Sequence, residues 1–321
     1  MPGGGTHTFL EPYQYEASLG QTQIDAVILP LSKFKARLTS AKLHHLQVLR
    51  CEEEIPRIAY VQLAQGLSFV TFPTGPGPLP VWRGREMQAG DIMFHSRGER
   101  LHQWISGPSV WNVIAMDPAQ FEYFARALSG TPFSSPPEGR VLQPSPRHFA
   151  RLRRLHTQIC RLAETKSKIL SHSEVARAME QGLIQALVTC LTTAGSRTEG
   201  YVKRHHARIM DRFEEVLAEH LGRPLRMPQL CDLIVVSDRT LRSCCAEFLG
   251  MRPIQYVLLR RLKEVRRALR DADPALVKVA DIAPRFGFTE LGRFAGIYRA
   301  TFGEAPLTTL QRTPGTRLAT P

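Results

Sequence analysis

Between residues 43 and 116 the hydrophobic positions fall in short runs rich in branched and aromatic side chains, broken by Gly and Pro: 43–51, 58–63, 67–72, 81–87, 91–95, 101–105 and 110–116. Seven short strands at this spacing predict an all-β domain, a barrel or a sandwich. Pro73, Pro76 and Pro78 lack the amide that a ladder needs, so 73–78 is expected as a loop. Beyond residue 118 the period lengthens. Phe149, Leu152, Leu155, Ile159 and Leu162 recur every three to four residues and share one helical face, as do Val175, Met179, Leu183, Leu187 and Leu191 within 174–192. The pattern therefore divides the chain into a loose glycine-rich arm (1–20), a β domain (21–117), a helical region (118–194), a linker (195–204), an all-helical segment (205–312) and a tail (313–321).

Within 205–312 a weak repeat emerges at a shift of 53 positions. Leu241, Cys244 and Cys245 fall on Phe294, Ile297 and Tyr298, Gly250 falls on Gly303, and Pro253 on Pro306. In each copy three apolar residues at i, i+3 and i+4 make a buried stripe, and Gly-x-x-Pro ends the helix. A shorter helix precedes each stripe: 228–234 with Leu230 and Cys231 inward, and 280–286 with Ile282 and Ala283 inward. Ser237 and Thr289 are the expected N-caps, because a hydroxyl accepts from an orphan amide at a helix start. Short helix, tight turn and capped second helix make a helix-turn-helix, whose second helix enters the major groove of DNA. A long helix over 253–270, with Leu258, Leu262, Val265 and Leu269 inward, is expected to hold the two units at a fixed spacing.

Opposite the first stripe stand Arg239, Arg242 and Ser243, with Ser237 and Thr240 at the helix start. Two arginines one turn apart can address guanine edges bidentately, so Arg239 and Arg242 are the expected base readers. In the second copy the same offset gives Gly292 and Gly296, flanked by Glu290, Arg293 and Arg299. That helix has little with which to read bases, and it is expected to anchor phosphates and follow groove shape.

Composition narrows the class of partner. The 321 residues carry 42 Lys+Arg against 29 Asp+Glu, a formal charge of +13. Such an excess favours a polyanion partner, while 43% apolar residues imply a packed core and exclude a disordered or collagen-like chain. The charge is concentrated in 140–168, where eight Lys/Arg face one acid, Glu164. No run of 18 apolar residues and no secretory leader is visible, so a cytoplasmic protein without membrane contact is expected. Six scattered cysteines without a C-x-x-C pair read as reduced thiols acting as small hydrophobes.

The string 287–306, Gly287-Phe288-Thr289-Glu290-Leu291-Gly292-Arg293-Phe294 through Gly303-Glu304-Ala305-Pro306, together with the paired units, resembles the carboxy-terminal signature of AraC/XylS-type bacterial transcription regulators. The resemblance covers about residues 205–312. Its Leu291-Gly292-Arg293-Phe294-Ala295 version, followed by Thr308-Thr309-Leu310-Gln311-Arg312, is similar to regulators of ethanolamine-utilisation operons. Two departures stand out: Gly296, where many members carry Arg, and Pro284 inside the short helix, where it removes an amide donor. The resemblance implies an α+β protein with an N-terminal cupin-like β-barrel sensor, helical dimerisation elements and two C-terminal helix-turn-helix units. It also implies double-stranded promoter DNA, RNA polymerase and a small-molecule effector as partners, a homodimer, and activation of transcription.

An aromatic pocket for that effector is expected from Phe69, Trp82, Phe94, His95, Trp104 and Trp111. The sequence assigns no catalytic residue and no cofactor. A metal-cupin enzyme needs clustered His and carboxylate ligands, and His44, His45, His95 and His102 show no H-x-H with a nearby Glu. The rival to a specific regulator is a nonspecific architectural DNA-binding protein, which the net charge alone would support.

Overall fold

The computed structural model describes residues 2–19, 22–28, 34–130, 134–197, 201–220 and 223–312. The chain divides into a first unit, Met1–Ala26 with Phe34–Gly200, and a second that contains Tyr201–Pro321. The expected tail (313–321) and residues 198–200 of the expected linker lie outside the described residues.

In the first unit the strands form two sheets. One runs, in spatial order, Gly3–Phe9, Ala36–Lys42, Leu46–Glu53, Ser109–Met116, Ser68–Thr74, Ile92–Phe94, Arg140–Gln143 and Gly195–Arg197. The other runs Thr22–Ile28, Arg57–Leu63, Arg100–Ile105, Val81–Trp82 and Arg85–Glu86. The helices are α1 (Pro12–Ser18), α2 (Pro118–Ser129), α3 (Pro146–Thr165), α4 (Ser167–Leu170) and α5 (Ser173–Thr193). One face of the larger sheet is covered by helices: Val48, Phe72 and Ile114 share a core with Leu152 and Ile159 of α3 and with Leu183 and Leu187 of α5. Each such buried side chain stabilises the fold by about 1.5–3 kcal/mol relative to exposure.

The expected cupin-like barrel is corrected to two open sheets among the described residues. Gly3–Phe9 and Gly195–Arg197 end opposite sides of the larger sheet, and helices cover its outer face, opposite the smaller sheet. The expected loose arm is likewise structured. Gly3–Phe9 pairs antiparallel with Ala36–Lys42, and a Cβ at Gly4 would come within 2.6 Å of the Ser40 carbonyl oxygen and 2.8 Å of Ala163 Cβ. Glycine is there because α3 crosses close to that strand, which is a packing demand rather than a flexible one. The expected linker begins as a strand too, with Ser196 opposite Leu142. Pro73 lies inside Ser68–Thr74, near its end, opposite Trp111.

The second unit is helical: α6 (Tyr201–Glu219), α7 (Met227–Ile234), α8 (Asp238–Leu249), α9 (Pro253–Asp271), α10 (Val279–Ile282), α11 (Leu291–Phe302) and α12 (Pro306–Gln311). The nineteen residues of α9 make a rod of about 28 Å. It buries Leu262, Val265 and Leu269 completely. A buried carboxylate fixes α9 to α6: Tyr256 Oη donates to Glu214 Oε1 at 2.8 Å, and Arg260 Nη1 donates to Glu214 Oε2. Among the described residues no helix is long and apolar enough to cross a membrane.

Candidate nucleic-acid interface

The two-helix units take their shape from a few local rules. In the first, Leu241, Cys244, Cys245, Phe248 and Leu249 form the buried stripe of α8. Ser237 Oγ accepts from the Thr240 amide at 3.1 Å and closes the helix start. The turn passes through Val235, whose φ of 63° is left-handed, an uncommon place for a β-branched residue. Its side chain is 86% exposed. At the other end Gly250 takes φ 67° and its amide bonds to the Ala246 carbonyl, so the helix stops where the sequence places a Gly-x-x-Pro.

The second unit repeats this design with differences. Phe294, Tyr298 and Phe302 are the buried stripe of α11, and Gly303 caps it at φ 73°. Helix α10 gives way at Ala283 to a 3-10 turn, Ala283–Phe286, with Pro284 in its first positions. The missing Pro284 amide accounts for the change of winding. The turn then takes one residue more than in the first unit, so α11 starts after Glu290 and not after the expected cap Thr289. Glu290 makes no side-chain cap hydrogen bond. Gly287, at φ 74°, takes the place that Val235 has in the first unit.

The exposed faces are sharply different. On α8, Arg239, Arg242 and Ser243 are exposed, whereas Thr240 is half-buried with its hydroxyl 2.8 Å from that of Ser237. Arg242 Nη2 donates to Asp238 Oδ2 at 3.1 Å and its Nε donates to Oδ1. Those bonds hold the Asp238 carboxyl below its ordinary pKa. Asp238 is missing from the sequence reading, although its position four residues before Arg242 is the spacing at which helical side chains meet. On α11, Glu290, Leu291, Gly292, Arg293, Gly296 and Arg299 are exposed. A Cβ placed at Gly292 or Gly296 would meet nothing within 4 Å, so these glycines leave an open, flat surface and serve no internal contact.

Both units sit on α9. Arg266 Nη2 donates to Glu304 Oε1 at 3.0 Å and its guanidinium lies 4.8 Å from the centre of the Phe302 ring. Arg261 donates to the Phe286 carbonyl at 2.9 and 2.6 Å and lies 4.4 Å from the Phe288 ring centre. On the α8 side, His206 Nδ1 of α6 lies 2.6 Å from Glu247 Oε2.

The first unit contains a partly open space between its two sheets, with about 70 Å³ in which the centre of a water molecule can move. Of the six aromatic or histidine residues expected at a pocket, Phe69, His95 and Trp111 line it. Phe94 points the other way, against Phe121 of α2, because successive side chains of a strand face opposite sides and His95 takes the inner one. Trp82 is fully buried behind His95, edge-on at 5.8 Å, and Trp104 lies outside the lining. The polar lining includes Arg57 and Gln103, which the sequence reading passed over. Arg57 donates to Glu53 at 2.8 Å and to Gln103 at 2.9 Å. His95 is held on both nitrogens, by Glu99 Oε2 at 3.0 Å and the Thr71 hydroxyl at 2.8 Å. Among the described residues no three His, Cys, Asp or Glu side chains converge as a metal site would require. All six cysteines are free thiols, five of them buried, and burial pushes Cys160 and Cys190 up to about 12, far from the reactive thiolate range.

Residues 230–312 match the family model described as a helix-turn-helix domain. The chain is 37% identical over 100 residues to the probable thc operon regulatory protein of Rhodococcus erythropolis, a stretch that spans 31% of this chain and 30% of that one. It is 30% identical over 141 residues to the XylDLEGF operon transcriptional activator 2 of Pseudomonas putida, spanning 44% of this chain and 88% of that one. Among solved structures, the AraC-like transcriptional activator CuxR aligns over 81% of this chain and 94% of its own at 16% identity and a TM-score of 0.42. With the paired, Gly-terminated helices and a 30% identical match over 88% of the Pseudomonas protein, the chain belongs to the AraC/XylS family of helix-turn-helix transcription regulators.

Proposed function

We propose that this protein is a sequence-specific DNA-binding activator of transcription that responds to a small molecule. The observation that carries the proposal is the lopsided pair of exposed helix faces: Arg239, Arg242 and Ser243 on α8, against Gly292, Arg293, Gly296 and Arg299 on α11. In this reading α8 reads base edges through its guanidinium forks. Helix α11 presses its glycine surface against the backbone and contributes phosphate contacts through Arg293 and Arg299. Ser237 and Thr240 fix the start of α8, where its backbone faces phosphates, and Glu290, at the start of α11, disfavours phosphate on its own side. Helix α9 sets the distance between the two, and successive major grooves on one face of DNA lie about 34 Å apart.

The first unit is the sensor in this reading, cupin-like in its run of short antiparallel strands although not closed. Its inter-sheet space is walled by Leu, Val, Phe and Met side chains with Arg57, Gln103 and His95 among them, which suits a small, largely apolar molecule bearing one polar group. In this reading binding of an effector in the space alters how the two sheets pack across it. That gives ligand binding two arrangements to choose between, which a change in DNA affinity requires. A homodimer and contact with RNA polymerase follow from the family's general behaviour. Within the family, the resemblance of Leu291 to Ala295 and Thr308 to Arg312 to regulators of ethanolamine-utilisation operons supports assigning the chain to that group.

The test is selection of genomic fragments by the purified protein at near-physiological salt, followed by transcription from the recovered promoters. A recurring motif and a transcript that rises with the protein support the reading. Fragments with no shared motif would favour an architectural role for the protein.

A further inference from the structure

The basic segment that the sequence singled out is not absorbed by the helix-turn-helix function, because it belongs to the first unit. There α3, α5 and the turn after Ser68–Thr74 enclose an open groove with about 1350 Å³ of water-accessible space. Its lining includes Arg147, Arg151, Arg153, Arg154 and Arg161 of α3, faced by Arg50, and no acidic side chain. All five α3 arginines are exposed. Arg151 donates to Gln185 Oε1 at 2.8 Å. Arg147, Arg153, Arg154 and Arg161 have no acidic partner among the described residues.

Two features identify the occupant. First, Arg147, Arg151, Arg154 and Arg161 lie one to two turns apart on one side of α3, so the charges are strung over about 21 Å and do not converge on a point. A single phosphate needs convergence, whereas a strand of nucleic acid presents a charge every 3.4 Å or so along its axis. Second, the groove exceeds the usual size of a small-molecule site, about 300–1000 Å³. A second copy of the same face is disfavoured, since two rows of unpaired guanidinium groups brought together by two-fold symmetry repel. We infer that the arginine row of α3 is a second DNA-binding surface, which holds the phosphate backbone of duplex DNA without reading its sequence.

This inference rests on the reading of the chain as a DNA-binding protein, and the test separates the two. Binding of the full chain to a random-sequence duplex is measured against salt for wild type, for Arg147→Ala/Arg154→Ala/Arg161→Ala and for the charge-keeping Arg147→Lys/Arg154→Lys/Arg161→Lys. Each lost phosphate contact lowers the slope of log K against log salt by about 0.9. The alanine variant is therefore expected to show a slope about 2–3 lower, with the lysine variant close to wild type. Because these side chains are exposed, both variants should keep the melting transition of the first unit. The single change Arg154→Glu, read in the same way, is expected to weaken binding at every salt concentration. Wild-type binding with an unchanged slope in the alanine variant and unchanged affinity in Arg154→Glu would overturn this inference alone. Failure of the wild type to bind any duplex would overturn it together with the DNA-binding reading.

Discussion

Arg242 and Asp238 are bound to each other across one turn of α8, with Arg242 Nη2 donating to Asp238 Oδ2 at 3.1 Å on the exposed face of the helix. The contact aims the guanidinium outward and leaves part of its fork free for a guanine edge. Asp238→Asn is expected to loosen that aim, lowering discrimination at the base pair read by Arg242 several-fold. Binding to scrambled duplex should rise, since a negative charge near the phosphates is gone. Adding Asp238→Asn to Arg242→Ala should change discrimination no further, which mismatch binding of the three variants would establish. Loss of discrimination by Asp238→Asn even without Arg242 would mean that Asp238 contacts a base itself.

Val235 holds φ 63° with its side chain 86% exposed. A left-handed residue with a Cβ costs about 1–2 kcal/mol, and exposure means that no packing is lost by removing the side chain. Val235→Gly should therefore stabilise the second unit by up to about 1 kcal/mol, part of the gain being offset by the freer unfolded chain. The reciprocal change Gly287→Val should destabilise by more than that, because a Cβ there comes within 2.7 Å of Arg261 Nη2 and Pro224 Cδ. Urea melts of both variants give the two signs directly.

Glu214 is 3% exposed and accepts from both Tyr256 and Arg260. Removal of one partner of a buried pair strands the other charge, at a cost of about 3–5 kcal/mol. Glu214→Ala should lose about that much stability in the second unit, and Arg260→Met added to it should recover part. A strictly additive double variant would show that the pair is not coupled.

His156 of α3 is buried, with Nε2 3.2 Å from the Leu49 carbonyl oxygen, and burial pulls its pKa down to about 4. In the unfolded chain the same group titrates near 6.5. The unfolded state thus takes up the proton first as pH falls, so stability is full above about 6.5 and declines toward pH 4. The loss should be about 2 kcal/mol by pH 5. His156→Gln should flatten this part of the pH profile of first-unit melting; an equal decline in the variant would assign it to other groups.

Much of the second unit was legible because its signals are local. The stripes around Leu241 and Phe294, the Gly250 and Gly303 caps and the breaking effect of Pro284 each depend on a few neighbouring residues. What was missed depends on distant pairing. Nothing near Glu214 says that it faces Arg260, since a carboxylate on a helix ordinarily meets water. The glycines at 3–5 read as a loose arm because Ser40 and Ala163, which demand a glycine at position 4, are far away in sequence. Phe94 and His95 show how fine the margin is: a one-residue alternation decides which of them faces the inter-sheet space. The 53-position repeat carries Ser237 onto Glu290, but the hydroxyl of Thr289 is the commoner cap type and drew the expectation one residue too early.

The central claim, that α8 reads sequence while α11 anchors backbone, is tested most directly by binding of Arg242→Ala and Arg299→Ala to the selected operator, to its single-base variants and to a scrambled duplex. The wild type should prefer the operator by about a thousandfold or more. Arg242→Ala should lose about 10- to 100-fold on the operator, with discrimination relaxed at one base pair, and Arg299→Ala should weaken every duplex alike. Equal loss on all duplexes for Arg242→Ala would contradict the assignment of base reading to α8.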